Sequence, residues 1–175
     1  MQRCLALAAA LAAFLSTSAA YAQRFGDEGQ LVIQDDAKLQ IGGTTQNGQN
    51  NGAAILLQPA ADYFVVHSVS LGAQLLYSDS GGNQVVGVAP RVGYNVTITD
   101  DVSFWIRGYV GYAHAWGPGY QNDSIFLEAY APLLWHPATH FFLGLGPYVT
   151  PSFEINRPTF VSFGLATTVG GWFVP

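Results

Sequence analysis

The sequence predicts an all-β protein, an eight-stranded antiparallel up-and-down transmembrane β-barrel, and three observations carry that prediction. Only 10% of the 175 residues are charged while 50% are hydrophobic; a soluble domain averages about 25% charged because its outside must face water. Past the N-terminal segment, no stretch approaches the ~18 consecutive apolar residues of a spanning helix. Instead, clusters of Gly, Asn, Asp, Ser and Pro divide the chain into short segments with alternating apolar and polar residues. In lipid, every backbone polar group must be paired within the protein. A closed barrel meets that demand by bonding each strand to two neighbours.

The N-terminus is set apart first. "MQRCLALAAALAAFLSTSAAYA" places Arg3 before an apolar run from Cys4 to Leu15, then the polar Ser16-Thr17-Ser18 and the small-residue sequence Ala20-Tyr21-Ala22. That order predicts a secretory signal peptide over residues 1–22, cleaved between Ala22 and Gln23, with residues 23–175 forming one barrel domain. Cleavage removes Cys4, the only cysteine, so the mature chain relies on neither disulfides nor thiols. Arg3 leaves as well. Five basic residues then face eleven acidic ones, a net charge of −6, and no basic patch remains for nucleic acid.

The turn signals predict eight strands, each able to cross a bilayer as a tilted segment of about 9–11 residues. They cover residues 31–41, 53–64, 69–77, 85–98, 102–116, 124–135, 140–153 and 159–173. Longer connections at 42–52, 78–84, 117–123 and 154–158 are expected outside the cell, and tight turns at 66–68, 99–101 and 136–139 in the periplasm.

Facing follows from period two. In "FWIRGYVGYAHAW", Phe104, Ile106, Val110 and Tyr112 fall on one side and Trp105, Arg107, Tyr109 and Gly111 on the other. The other strands split alike, with one apolar face and one of small, polar or charged residues. A soluble barrel would turn the apolar face inward and place lysines outside; here Lys38 is the sole lysine. The predicted lumen network comprises Arg91, Arg107, Glu128, Gln58, Gln74 and Lys38, with Asp36 on the same face. A lipid-facing arginine at mid-membrane would cost about 2–4 kcal/mol, whereas an inward one can be paired. Asp35 breaks the pattern, since strict alternation turns it outward. Pro59, Pro90, Pro132, Pro147 and Pro151 fall inside predicted strands, where each removes a ladder donor, so bulges or shifted boundaries are expected. Tyr63, Phe64, Tyr94, Trp135, Phe141, Trp172 and Phe173 are expected as a periplasmic aromatic girdle, with Trp116 and Tyr120 at the opposite interface.

Taken together, the strand count, the strand ends "DYFV", "PRVGYNV" and "PLLWHP", and the C-terminal "TTVGGWFVP" resemble small outer-membrane β-barrels of the OmpA-like, eight-stranded class. The resemblance covers about residues 29–173. It implies a bacterial outer-membrane location, outer-membrane lipids and the outer-membrane assembly machinery as partners, and a monomer. It also implies that Gly170, Trp172 and Phe173, with Thr168, form the C-terminal assembly signal, from which this chain departs by adding Val174 and Pro175.

No metal, cofactor or enzymatic motif stands out. His67, His136 and His140 read as interfacial turn residues, and His136-x-x-x-His140 brackets a proline rather than lying on a helix. Glu128 and His114 would be the acid/base pair of a lipid-modifying enzyme, but alternation points them to opposite faces. Asp27-Glu28 and Asp100-Asp101 read as solvated charges. The expected function is that of an integral outer-membrane protein with a structural or envelope-interaction role and a lumen filled by polar side chains. A narrow porin-like channel is the alternative and a lipid-modifying enzyme the third reading. A soluble lipocalin-like binder competes at the level of the fold.

Overall fold

The computed structural model describes residues 24–39, 55–80, 82–154 and 159–175. Ten strands form one antiparallel sheet: β1 (Leu31–Leu39), β2 (Ile55–Leu57), β3 (Pro59–Val66), β4 (Val69–Ser80), β5 (Asn83–Thr97), β6 (Val102–Gly117), β7 (Tyr120–Tyr130), β8 (Leu133–Ala138), β9 (Phe141–Glu154) and β10 (Phe160–Phe173). β2 and β3 pair with β4 in one continuous register, and β7 and β8 do the same against β6 and β9. Each of those pairs is therefore a single spanning strand with a break in it, and the ten pieces make eight crossings. β1 bonds to both β3 and β10, so the ring of strands is closed.

The register fixes the barrel's shape. From Phe173, stepping across paired residues passes through Leu31, Tyr63, Leu71, Val92, Gly108, Ala129 and Val149, and re-enters β10 at Phe163. The stagger is ten residues (173 to 163). With the usual strand spacing and rise, that stagger over eight crossings corresponds to a tilt of about 40°. A barrel this narrow is filled by its own inward side chains.

Both breaks lie at prolines. Pro59 opens β3 and is aligned with Asp35. It has no N–H to give, and the Asp35 Oδ1 accepts instead from the backbone N–H of Gln58, at 2.8 Å. Asp35 does lie on the outward parity, half-buried, and this bond explains how a carboxylate is accommodated there. Pro132 lies between β7 and β8, where the backbone passes so close to β9 that a Cβ at Gly146 would come within 2.4 Å of the Pro132 Cα. Around Pro90 and Pro151 the ladders skip the facing residues and resume in the same register. The expected bulges at prolines are thus interruptions without slippage, because losing one donor does not add a residue. The register shifts occur next to hairpin turns, at Phe64/Val66, away from any proline, and at Trp135/Ala138, which brackets Pro137.

Two connections at the far rim are shorter than expected, while those expected at 42–52 and 154–158 lie outside the described residues but for Glu154. β4 runs on to Ser80 and β5 starts at Asn83; β6 runs to Gly117 and β7 starts at Tyr120. Residues 118–119 are a two-residue turn with Gly119 at positive φ, and Gly82, just before β5, also has a positive φ. The polar residues read as loop, such as Asp79, Gln84 and Gln121, are paired strand residues. Polarity there marks a barrel wall rising out of the apolar zone, not the end of the ladder. At the other end β8 continues through Ala138, so the turn expected over 136–139 is centred on Thr139 and His140, whose φ is 65°.

The facing assignments hold. Ile33, Leu71, Leu75, Val88, Val92, Ile106, Val110, Leu127 and Leu145 form an exposed apolar belt, while Trp105, Arg107, Tyr109 and Ala113 are buried inside. Tyr63, Tyr94, Trp135, Phe141 and Phe173 are exposed at the end where β1 begins and β10 finishes, the terminal mouth. Phe64 and Trp172 do not join them. Both have inward parity and are buried within the barrel, which corrects the expected girdle.

Candidate functional site: a closed lumen

Three layers of side chains fill the lumen, each set by which residues of the strands share the inward parity. Midway lies an ion-pair layer. Arg107 donates from Nη1 and Nη2 to the two carboxylate oxygens of Asp36, at 3.1 and 3.2 Å. Arg91 forks Asp62 in the same way, with Nε donating to Oδ1 at 2.8 Å and Nη2 to Oδ2. Its Nη1 also reaches the Gln74 Oε1 at 3.3 Å and the second oxygen of Asp36 at 3.5 Å. Gln34 donates to both Asp36 oxygens. Two guanidinium groups and two carboxylates thus share one charge-balanced array, and none of the four residues is more than 4% exposed. Aromatic faces complete the wall: the Arg107 guanidinium is 4.6 Å from both the Trp105 and Tyr130 rings. Gly93 makes room for that indole, since a Cβ there would come within 2.4 Å of the Trp105 Nε1.

Of the six predicted lumen residues, Arg91, Arg107 and Gln74 meet in this layer. Gln58 is buried on the same inner face. Glu128 is buried as well and accepts from the Thr150 hydroxyl at 2.8 Å. The carboxylates that fork the arginines are Asp36 and Asp62. The Lys38 side chain lies outside what is described. Asp62 was not singled out from the sequence, although its parity with Gln58 and its place in "AADYF" carried the signal.

Toward the far rim the lumen is aromatic and small: Ala89, Tyr109, Ala113, Phe126, Tyr130, Tyr148 and Ala166 pack together, and the Tyr130 hydroxyl donates to the Ala166 carbonyl at 2.9 Å. Toward the terminal mouth a second apolar cluster joins Val32, Phe64, Trp105, Leu134, Phe142 and Trp172 around Phe25. Gly170, taken from the sequence as part of an assembly signal, leaves space there for the Phe142 ring; a Cβ would come within 2.6 Å of its Cζ. Trp172 belongs to this cluster, while Phe173 points outward.

Sequence reasoning missed that the segment before β1 enters the barrel. It also read two charges, Asp27 and Asp100, and one ring too simply. Asp27 accepts from the Arg24 backbone N–H at 3.0 Å and lies 3.3 Å from the His67 ring, and Asp100 pairs with Arg24 at 2.8 Å. Neither acid is merely solvated. His136 is no surface turn residue: it is buried beside Phe25 and Trp172, with Nε2 3.0 Å from the Ser103 hydroxyl. His114 and Glu128 occupy opposite faces, and His114 instead meets Asp123 at 2.7 Å on the exterior, where Tyr112 donates to the same oxygen at 2.5 Å. Ala22 and Gln23, the expected cleavage site, lie outside the described residues.

No family model matches the chain, and no curated protein does. Among solved structures, the N-terminal β-barrel domain of Pseudomonas aeruginosa OprF superposes with a TM-score of 0.58 at 10% identity, covering 83% of this chain and 98% of that one. The Yersinia pestis outer membrane protein Ail, solved in a phospholipid bilayer nanodisc, gives a TM-score of 0.49 at 14% identity over 83% of this chain and 100% of that one. The chain has the fold of the small, eight-stranded OmpA-like outer-membrane β-barrels.

Proposed function

We propose that this chain is an integral protein of the bacterial outer membrane with a structural or envelope-interaction role, and that its barrel is closed to solute flow. The observation that carries the reading is the mid-lumen array of Arg91, Arg107, Asp36 and Asp62. It spans the interior with bidentate ion pairs whose members are almost wholly buried. Opening a path there would separate charges already removed from water, which is costly when one partner is left alone. The exposed aliphatic belt supports a lipid surround, and the aromatic residues at the terminal mouth support an interface there. In this reading the terminal mouth faces the periplasm. Outer-membrane lipids and the assembly machinery are the partners, the barrel is a monomer, and it performs no catalysis.

Two measurements test this together. Fractionation followed by cold electrophoresis in SDS, with and without boiling, is expected to give outer-membrane recovery and a heat-modifiable band. Planar-bilayer recording of the refolded barrel is expected to give no steady conductance step. A soluble, unshifted product would overturn the membrane assignment, and reproducible steps would overturn the closed lumen in favour of a narrow channel.

A further inference from the structure

We infer that Arg24–Glu28, anchored to the wall through Gly29 and Gln30, is a latched plug, a second seal that closes the terminal mouth in series with the ion-pair layer and can leave without opening the barrel wall. The inference deepens the closed-barrel reading and rests on it.

The segment joins the strand ladder of the wall only at its C-terminal end, where the Gly29 N–H donates to the Phe64 carbonyl and the Phe64 N–H to that of Gln30, both at 2.9 Å. The β1–β10 ladder that closes the ring begins at Leu31↔Phe173, after the segment has ended. What the segment adds is a ring in the lumen. Phe25 is 5% exposed, and its centroid lies 5.2–5.3 Å from those of Phe64, Trp105, His136, Phe142 and Trp172. Five rings from five strands of the wall, β3, β6, β8, β9 and β10, converge on one side chain supplied from outside the wall. Trp105 separates this layer from the next, with Phe25 and the Arg107 guanidinium both packed on its indole.

The backbone is built to hold that position and to turn back at once. Gly26 and Gly29 take φ of +102° and +88°, a region other residues avoid. Gln30 is fully buried and braces the loop across itself: its Oε1 accepts from the Gly26 N–H at 2.9 Å and its Nε2 donates to the Arg24 carbonyl at 2.7 Å. Asn95 donates to the Phe25 carbonyl and the Ser68 N–H to that of Gly26, at 3.0 and 2.7 Å. Outside, two ion pairs clasp the segment to two different hairpin turns, Arg24 to Asp100 and Asp27 to His67. The interior contacts form a cork, and the exterior ones are latches exposed to solvent.

Accessibility of a buried position in the layer that Phe25 closes tests the plug directly, whether or not the ion-pair layer conducts. Ser70 is fully buried, aligned with Phe64 and near Trp105. A Ser70→Cys variant with Cys4→Ser carries one thiol, to be probed in the refolded barrel with a small charged methanethiosulfonate. Labelling is expected to be slow in that background. Phe25→Ala is expected to raise its rate by about tenfold or more, and Arg24→Ala with Asp27→Ala by less, while the heat-modifiable shift persists. An unchanged rate in a folded Phe25→Ala barrel would overturn the seal. Deletion of residues 24–28, which keeps the Gly29 and Gln30 bonds to Phe64, supplies the second arm. Fast labelling in a folded barrel supports a separable plug, and loss of the heat-modifiable form would overturn it by making the segment part of the wall's stability.

Discussion

Arg107 on β6 and Asp36 on β1 are 71 residues apart in sequence and meet across the lumen through two hydrogen bonds, 3.1 and 3.2 Å long. This pair joins opposite parts of the ring and lies at the centre of the charge-balanced layer. The arrangement resolves an electrostatic problem: the belt outside is hydrocarbon-facing, so each charge the strands carry at this height must be inward and paired.

Removing one partner leaves the other buried and alone. Asp36→Ala is therefore expected to destabilise the folded barrel by about 3–5 kcal/mol, read as a shift in the urea midpoint of unfolding from lipid vesicles. Replacing both members together, Asp36→Leu with Arg107→Met, is expected to recover most of that loss. Similar midpoints for the single and double variants would show that the pair contributes little.

The apolar belt and the polar far end of the outer wall are expected to respond differently to substitution. Val110→Arg on the apolar belt of β6 is expected to cost about 2–4 kcal/mol if it reaches the bilayer midplane. Asp123→Asn, at the polar, solvent-exposed end of β7 beside His114, is expected to leave stability nearly unchanged. Equal effects at the two positions would contradict the assignment of the belt to lipid.

Gly93→Ala tests the packing of the aromatic layer. The added methyl would sit 2.4 Å from both the Ser70 Oγ and the Trp105 Nε1, so the indole must move or the strands part. The expected cost is about 1–3 kcal/mol, accompanied by a shift in tryptophan emission. Gly108→Ala is the control: Gly108 lies on the outer face of β6, and the nearest atom to a Cβ there is 4.0 Å away. It is expected to be nearly neutral.

How much of this was legible depended on the range over which each signal acts. Alternation is local, and it placed Arg91, Arg107, Gln74 and Glu128 inside and Val110 and Leu127 outside. Charge depletion is global, and it called for a lipid-facing exterior. Strand ends were less legible, because residues such as Asp79 and Gln121 are equally at home in a turn and in a wall standing in water. Partner choice was not legible at all. Which carboxylate forks Arg91 is decided by shear, which slides Asp62 rather than Glu128 opposite it, and shear emerges from the closed ring. Phe25 was hidden for the same reason: one ring in a polar, glycine-bearing segment has no periodicity, and its socket exists only once Phe64, Trp105, Phe142 and Trp172 have been brought together.

The last two aromatic residues of β10 separate folding from assembly. Trp172 is buried against Phe25, His136 and Phe142, whereas Phe173 faces outward at the terminal mouth. Trp172→Ala removes a core ring and is expected to cost about 3–5 kcal/mol in purified, refolded protein. Phe173→Ala removes an exposed ring, so its effect on refolded stability is expected to be small. If Phe173 is part of the signal read by the assembly machinery, the same substitution lowers the amount of folded barrel recovered from cell envelopes several-fold. Comparing the heat-modifiable fraction from cells with the unfolding midpoint in vitro distinguishes the two roles. Normal envelope levels of Phe173→Ala would remove the residue from the signal, and a large midpoint shift would mean that its ring is structural after all.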